Sequence, residues 1–227
     1  MLISKSVIIL FKNIIFDFDG VLIDSHNLQK NALKSAYEMI VGKGEIPYKQ
    51  FFDNSGNSLE NIFKILNLPL EMIPVYKRIS ADNYSMIELY NNVYSMLENL
   101  VYEKYRIAIC TGKDRERTLQ ILEHFNIKHF FSFVVCSDDV MYPKPNPESI
   151  YKCMELWGVN SSECLMVGDG INDIIAAKKA KMYSIGVTWG ESTESKLLEA
   201  GADILVNSIK ELEEILISKM KGNYGEN

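Results

Sequence analysis

The fold is read from Asn13-Ile14-Ile15-Phe16-Asp17-Phe18-Asp19-Gly20-Val21-Leu22-Ile23-Asp24-Ser25. An apolar run stops at Asp17, a second aspartate follows at Asp19, and Gly20 comes next. A short apolar run closed by a turn signal reads as a buried strand. Both carboxylates then sit where the strand leaves the sheet, and in an open parallel sheet that carboxyl edge is where ligands bind. Two acids there repel each other and are costly to desolvate unless a cation or a shared proton compensates. Taken alone, Asp-x-Asp reads equally well as a capping aspartate beside a turn aspartate, so the rest of the chain has to decide.

Working outward, the pattern turns helical after Ser25. Leu28, Leu33, Ala36, Tyr37 and Ile40 fall near helical spacing over 27–40, and Gly42 and Gly44 end the run. Residues 58–66 and 71–89 continue in the same style, with Pro69 and Pro74 as punctuation and no strand-like alternation from 26 to 92. The second half differs. Short apolar runs at Arg106–Cys110, 133–136, 164–167, 182–187 and Ile204–Val206 are separated by helical stretches at 114–125, 147–157 and 172–180, and 209–219 follows as a last helix. Strand and helix alternating at this spacing predict a parallel sheet covered on both faces. The block from 26 to 92 is then a helical insertion between the first strand and the rest.

With 227 residues, 47% of them apolar and 24% charged, the chain can bury a sizeable core. Its net charge of −6 argues against nucleic acid or an anionic membrane as the main partner. An anionic substrate would need positive charge concentrated locally. The apolar stretch from Ser6 to Phe11 is too short for a signal sequence or a membrane span, so a cytoplasmic protein is expected. Cys110, Cys136, Cys153 and Cys164 form no C-x-x-C pair and read as buried free thiols.

Polar residues follow the later strands as well. Cys110-Thr111-Gly112-Lys113-Asp114 offers a hydroxyl and a helix start, an anion-binding corner or a simple cap. Lys144 lies in Pro143-Lys144-Pro145-Asn146-Pro147, where flanking prolines restrain its backbone. Gly168-Asp169-Gly170-Ile171-Asn172-Asp173 places Asp169 at a strand end and Asp173 in the next helix's first turn. A helix N-terminus accounts for Asp173 but poorly for Asp169. Hard oxygen ligands in this number suit Mg²⁺, with Thr111, Lys144 and helix starts left for a phosphate. A carboxylate facing such a phosphate is a competent nucleophile, and a nearby second acid can handle the protons.

In these motifs, taken in order, the chain resembles the haloacid dehalogenase-like hydrolase superfamily: Asp17-Phe18-Asp19-Gly20-Val21, Thr111-Gly112, Lys144-Pro145 and Gly168 to Asp173. The resemblance implies a Rossmann-like α/β core over 1–25 and 93–222 and an α-helical cap domain over 26–92; the tail at 223–227 is expected to be disordered as a chain terminus. The resemblance also implies Asp17 as nucleophile and Asp19 as general acid/base. Thr111 and Lys144 would hold the phosphoryl group, and Asp17, Asp19, Asp169 and Asp173 the Mg²⁺. Gly20, Gly112, Lys113 and, from the cap, Asn57 would complete the substrate site. The phosphoglycolate phosphatase-like branch is the most similar, in Ser55 to Pro69 and in Gly186-Val187-Thr188-Trp189-Gly190.

A phosphomonoesterase acting on a small phosphate ester is expected, with the cap closing over it. The small and amide side chains of the 54–58 loop suggest a polar, uncharged leaving group. The related β-phosphoglucomutases usually carry a histidine where this chain has Gln29, and a cap arginine that Ser55 to Ser58 lacks, so a mutase is the alternative. A non-catalytic binding protein is a further one. A monomer is expected, with a dimer left open.

Overall fold

The computed structural model describes residues 11–221, with side chains described as far as Ile217. The expected disordered tail and most of the Ser6 to Phe11 stretch lie outside the described residues. In chain order the elements are β1 (Asn13–Phe16), β2 (Ile23–Asp24), α1 (His26–Ile40), α2 (Tyr48–Asp53), α3 (Leu59–Ile65), α4 (Met72–Asp82), β3 (Glu88–Leu89), α5 (Val93–Tyr102) and β4 (Arg106–Cys110). Then follow α6 (Arg115–His124), β5 (Val134–Val135), α7 (Glu148–Trp157), β6 (Cys164–Gly168), α8 (Ile171–Lys179), β7 (Tyr183–Val187), α9 (Glu194–Ala200), β8 (Ile204–Val206) and α10 (Ile209–Lys221).

Six strands form one parallel sheet in the order β5-β4-β1-β6-β7-β8. β1 lies in its interior, with Ile15 opposite Ala108 of β4 and Met166 of β6. Side chains alternate between faces along a strand, and the core divides accordingly. Ile14 and Phe16, with Ile107, Ile109, Leu165 and Val167, pack against α5, α6 and α10 through residues such as Met96, Leu97, Leu122 and Leu212. Ile15, Cys110, Cys164 and Met166 face the other way, onto Ile150 and Cys153 of α7 and Ala176 and Ala177 of α8. Both faces being apolar explains why the strands read as continuous hydrophobic runs. All four cysteines are free and buried, as expected.

Helices α1 to α4 gather a separate apolar cluster around Ala32, Leu33, Ala36, Phe51, Phe63, Met72 and Tyr76. The Phe51 ring meets Phe52 edge-on at 5.3 Å, and Phe63 meets Tyr76 at 6.3 Å. Two expectations for this segment are corrected. The 71–89 helix stops at Asp82, and a short antiparallel ribbon follows in which Ile23 pairs with Leu89 and Asp24 with Glu88. That ribbon ties together the chain entering and leaving the helical segment. Two-residue strands carry no usable periodicity, which is why both were missed.

Candidate active site

The carboxyl edge of the sheet collects the polar strand ends. Asp17 continues β1, its amide donating to the Val167 carbonyl at 2.9 Å, and Thr111 continues β4, its amide donating to Val135 at 2.9 Å. Asp169 follows β6, and Asp173 occupies the first turn of α8, accepting from the Gly170 amide at 3.0 Å. All four side chains are buried. Asp17, Asp169 and Asp173 each present an oxygen within 4.8 Å of the others'.

Lys144 enters this cluster from the loop before α7. Its Nζ lies 2.5 Å from Asp173 Oδ1 and 3.0 Å from Asp17 Oδ1, and donates to the Cys110 carbonyl at 2.8 Å. Burial works against the Lys144 charge, but Asp17 and Asp173 outweigh it and hold the ammonium well above the ordinary lysine range. Burial also raises Asp17 well above the usual carboxylate range, Asp173 adds to this, and Lys144 opposes it. Asp169 is pushed up to about 8, by burial first and then by Asp173.

The close approach of backbone around Asp169 needs glycine. Gly20 adopts φ +76°, and a Cβ on it would lie 2.1 Å from Asp169 Oδ2; one on Gly190 would lie 2.3 Å from the Asp169 Cβ. The Glu191 amide holds Asp169 Oδ2 at 2.8 Å.

Three carboxylates against one ammonium leave this cluster short of positive charge. Among the described residues, four buried side-chain polar atoms lack a hydrogen-bond partner, and two of them are Asp17 Oδ1 and Asp169 Oδ1. Lys144 approaches Asp17 Oδ1, but not along a hydrogen-bonding direction. Buried unsatisfied carboxylate oxygens facing one another are costly. The donor set is all oxygen, so these residues fit a hard divalent cation.

The remaining predicted site residues divide. Asp19 does not join the carboxylate cluster through its side chain. Its Oδ1 instead accepts from Ser25 Oγ at 2.5 Å and ion-pairs with Lys113 Nζ at 3.1 Å, and Gln29 Nε2 is 3.4 Å away. Burial pulls the Lys113 ammonium down, with Asp19 opposing. Asp17, Asp19, Gly20, Thr111, Gly112, Lys113 and Asn57 all line one cavity of about 50 Å³. Asn57 and its neighbours Ser55 and Gly56 close it from the helical segment. The contact is tight: a Cβ on Gly112 would lie 2.3 Å from the Asn57 carbonyl oxygen. Asn172 Nδ2 fastens the same loop by donating to the carbonyls of Asn54 and Ser55 at 3.1 and 2.8 Å.

Tyr76, Arg117 and Glu191 also line the cavity and were not anticipated. Arg117 and Lys113 bring charge to a lining whose 54–58 loop alone had suggested an uncharged leaving group. His26 joins the two parts of the chain through its ring. It stacks on Phe52 at 4.1 Å and places Nδ1 2.7 Å from Glu191 Oε1. Glu191 follows the Thr188-Trp189-Gly190 stretch immediately, and that adjacency was the available signal.

The family model described as haloacid dehalogenase-like hydrolase matches residues 14–187. Pyrophosphatase PpaX of Halalkalibacterium halodurans is 30% identical over 206 residues, covering 89% of this chain and 95% of that protein. Among solved structures, a predicted phosphatase from Clostridium acetobutylicum superposes with a TM-score of 0.79 at 26% identity, covering 92% of this chain and 99% of that one. A predicted phosphoglycolate phosphatase from Haemophilus somnus gives 0.76 at 26%, covering 91% and 97%.

Proposed function

The chain belongs to the haloacid dehalogenase-like hydrolase family, and on that premise we propose that it is a Mg²⁺-dependent phosphatase using Asp17 as nucleophile. Its substrate is a small phosphate ester or pyrophosphate, the latter being the substrate class named for its PpaX relatives. The observation that carries this reading is the buried set of Asp17, Asp169 and Asp173, short of positive charge and flanked by Lys144.

In this reading Asp17 and Asp169, with Asp173 behind them, hold the cation, and Thr111 and Lys144 bind the phosphoryl oxygens. The bound cation supplies charge neutralisation to the phosphoryl group and its nucleophile. An Asp17 carboxylate oxygen attacks phosphorus and the bond to the leaving oxygen breaks, giving an aspartyl-phosphate. Asp19 supplies the proton that the leaving oxygen takes up. It then accepts a proton from the water that attacks the same phosphorus, releasing phosphate and restoring Asp17. Lys113 and Ser25 fix the Asp19 carboxylate beside the cavity for both transfers.

Residues 26–92 act as a cap domain on a core formed by the chain before and after them. The 54–58 loop seated on Gly112 is the closed arrangement, and it excludes bulk water from the reacting groups.

The test is phosphate release from pyrophosphate, p-nitrophenyl phosphate and a panel of metabolite phosphates, with Mg²⁺ and with EDTA. Release that requires Mg²⁺ and disappears in Asp17→Asn is the expected result. Release that survives in Asp17→Asn from a clean preparation removes Asp17 as nucleophile.

A further inference from the structure

The cavity over Asp17 has a neighbour. A groove of about 330 Å³ runs between the helical segment, at Lys64, Ile73 and Lys77, and the core loop at Ser137, Val140 and Met141. Cavity and groove have three lining residues in common, Leu59, Gly112 and Arg117. Those three border both. At Gly112 the wall is backbone against the backbone of Gly56 and Asn57, with no side chain to remove. At Leu59 and Arg117 it is made of side chains.

Arg117 is 6% exposed, and each of its three guanidinium nitrogens has a protein partner. Its Nε and Nη2 meet Asp114 Oδ2 at 2.9 and 2.7 Å, its Nη1 donates to Ser80 Oγ at 3.3 Å, and the guanidinium lies 5.6 Å from the Tyr76 ring centroid. Held at all three nitrogens and stacked near Tyr76, this arginine presents a fixed shape to the cavity. The cavity it bounds is small: about 50 Å³, where one water needs ~10–15 Å³. That is room for a phosphoryl group and little else.

We propose that Arg117, together with Leu59, is the size-limiting wall of the substrate site. It confines the enzyme to compact leaving groups, and removing it opens the cavity into the groove and admits ring-sized ones. The inference rests on the reading of the Asp17 site as a phosphoryl-binding centre. If Arg117 only ties the helical segment to the core, its loss weakens large and small ligands alike. A wall changes their ratio.

The experiment measures binding of methylphosphonate and benzylphosphonate, which are not hydrolysed, by calorimetry in Mg²⁺. It compares the wild type, the double variant Asp114→Ala/Arg117→Ala, and Leu59→Ala. The double variant removes both partners of the buried pair, so neither charge is stranded, and Leu59→Ala tests the same wall without touching the pair. The wild type is expected to favour methylphosphonate by at least about 30-fold, and both variants to reduce that preference to about threefold or less. An unchanged preference in folded variants overturns the wall, as does a wild type that binds both ligands equally. If the double variant unfolds, the Leu59→Ala ratio alone decides. Failure of the wild type to bind methylphosphonate at all overturns the phosphoryl-site reading itself, and the wall with it.

Discussion

Lys144 and Asp173 form an ion pair with no more than 1% of either side chain exposed, at 2.5 Å between Nζ and Oδ1. The pair also places the ammonium beside Asp17. Lys144 is thus the counter-charge of the carboxylate cluster and, in the proposed mechanism, a ligand of the phosphoryl group. Lys144→Met keeps most of the stem volume and deletes the charge. Stranding buried carboxylates costs about 3–5 kcal/mol. In Lys144→Met, urea unfolding at pH 7.5 without Mg²⁺ is expected to show a loss of this order, and kcat to fall at least about a thousandfold. A variant of wild-type stability would mean that Asp173 has another partner.

Divalent cation should repair a deficit of the same kind in the wild type. Saturation to about 100 times Kd adds ~2.7 kcal/mol, or roughly 5–10 °C in Tm for a chain of this size. Asp169→Asn removes one of the two orphaned buried oxygens' charges. The metal-free variant is therefore expected to be at least as stable as metal-free wild type, while its Mg²⁺-induced Tm shift nearly vanishes. Thermal melts in EDTA and in about 100 times the wild-type Kd of Mg²⁺ check this. Equal shifts in the two proteins would exclude Asp169 as a ligand.

Asp114 caps α6 and ion-pairs with Arg117 and Lys77. Burial works to raise its carboxyl, but Arg117 overcomes that and holds it well below the usual carboxylate range. A carboxyl whose folded pKa is depressed stabilises the fold above its unfolded pKa, and that contribution is lost as pH falls through the folded value. Asn remains a good N-cap, so Asp114→Asn isolates the charge. The variant should be about 3 kcal/mol less stable than wild type at pH 7. The gap should hold down to about pH 4 and narrow below it. Urea titrations at pH 7 and pH 2.5 read it, and a gap that widens in acid would contradict the assignment.

The sequence made the sheet and its acidic edge legible for a simple reason. Strands buried on both faces are short apolar runs, and a carboxylate that ends such a run stands out. Arg106–Cys110 and Ile204–Val206 were readable to the residue. Helix α5 was overlooked although Val93, Met96, Leu97 and Leu100 carry the helical spacing plainly. Arg117 was hidden for a different reason. A charged residue in a polar helix reads as solvated, and only the tertiary contact with Tyr76 and Ser80 puts it beside a cavity. The His26–Glu191 contact spans 165 residues, beyond the reach of any local pattern.

One side chain fastens the 54–58 loop by hydrogen bonds to its backbone. Asn172 stands between the two acidic residues of Gly168 to Asp173, yet its amide points to the loop and donates to two of its carbonyls. Gly56 and Gly170 let that loop lie close to Asp173 and to α8, with a Cβ on Gly170 placed 3.0 Å from the Ser55 carbonyl oxygen. Asn172→Ala removes both hydrogen bonds without altering the carboxylates. At about 1 kcal/mol each, the loss is modest for global stability, and Tm should fall by only about 4–8 °C. Closure should suffer more. Amides of the loop are expected to exchange with deuterium about tenfold faster, and kcat/KM to drop about tenfold or more, with the Mg²⁺-induced Tm shift retained. Asn172→Asp, which turns an acceptor toward two carbonyls, should be worse than alanine in both readouts. Loop exchange at the wild-type rate in Asn172→Ala would mean that the loop is held by its contact with Gly112 alone.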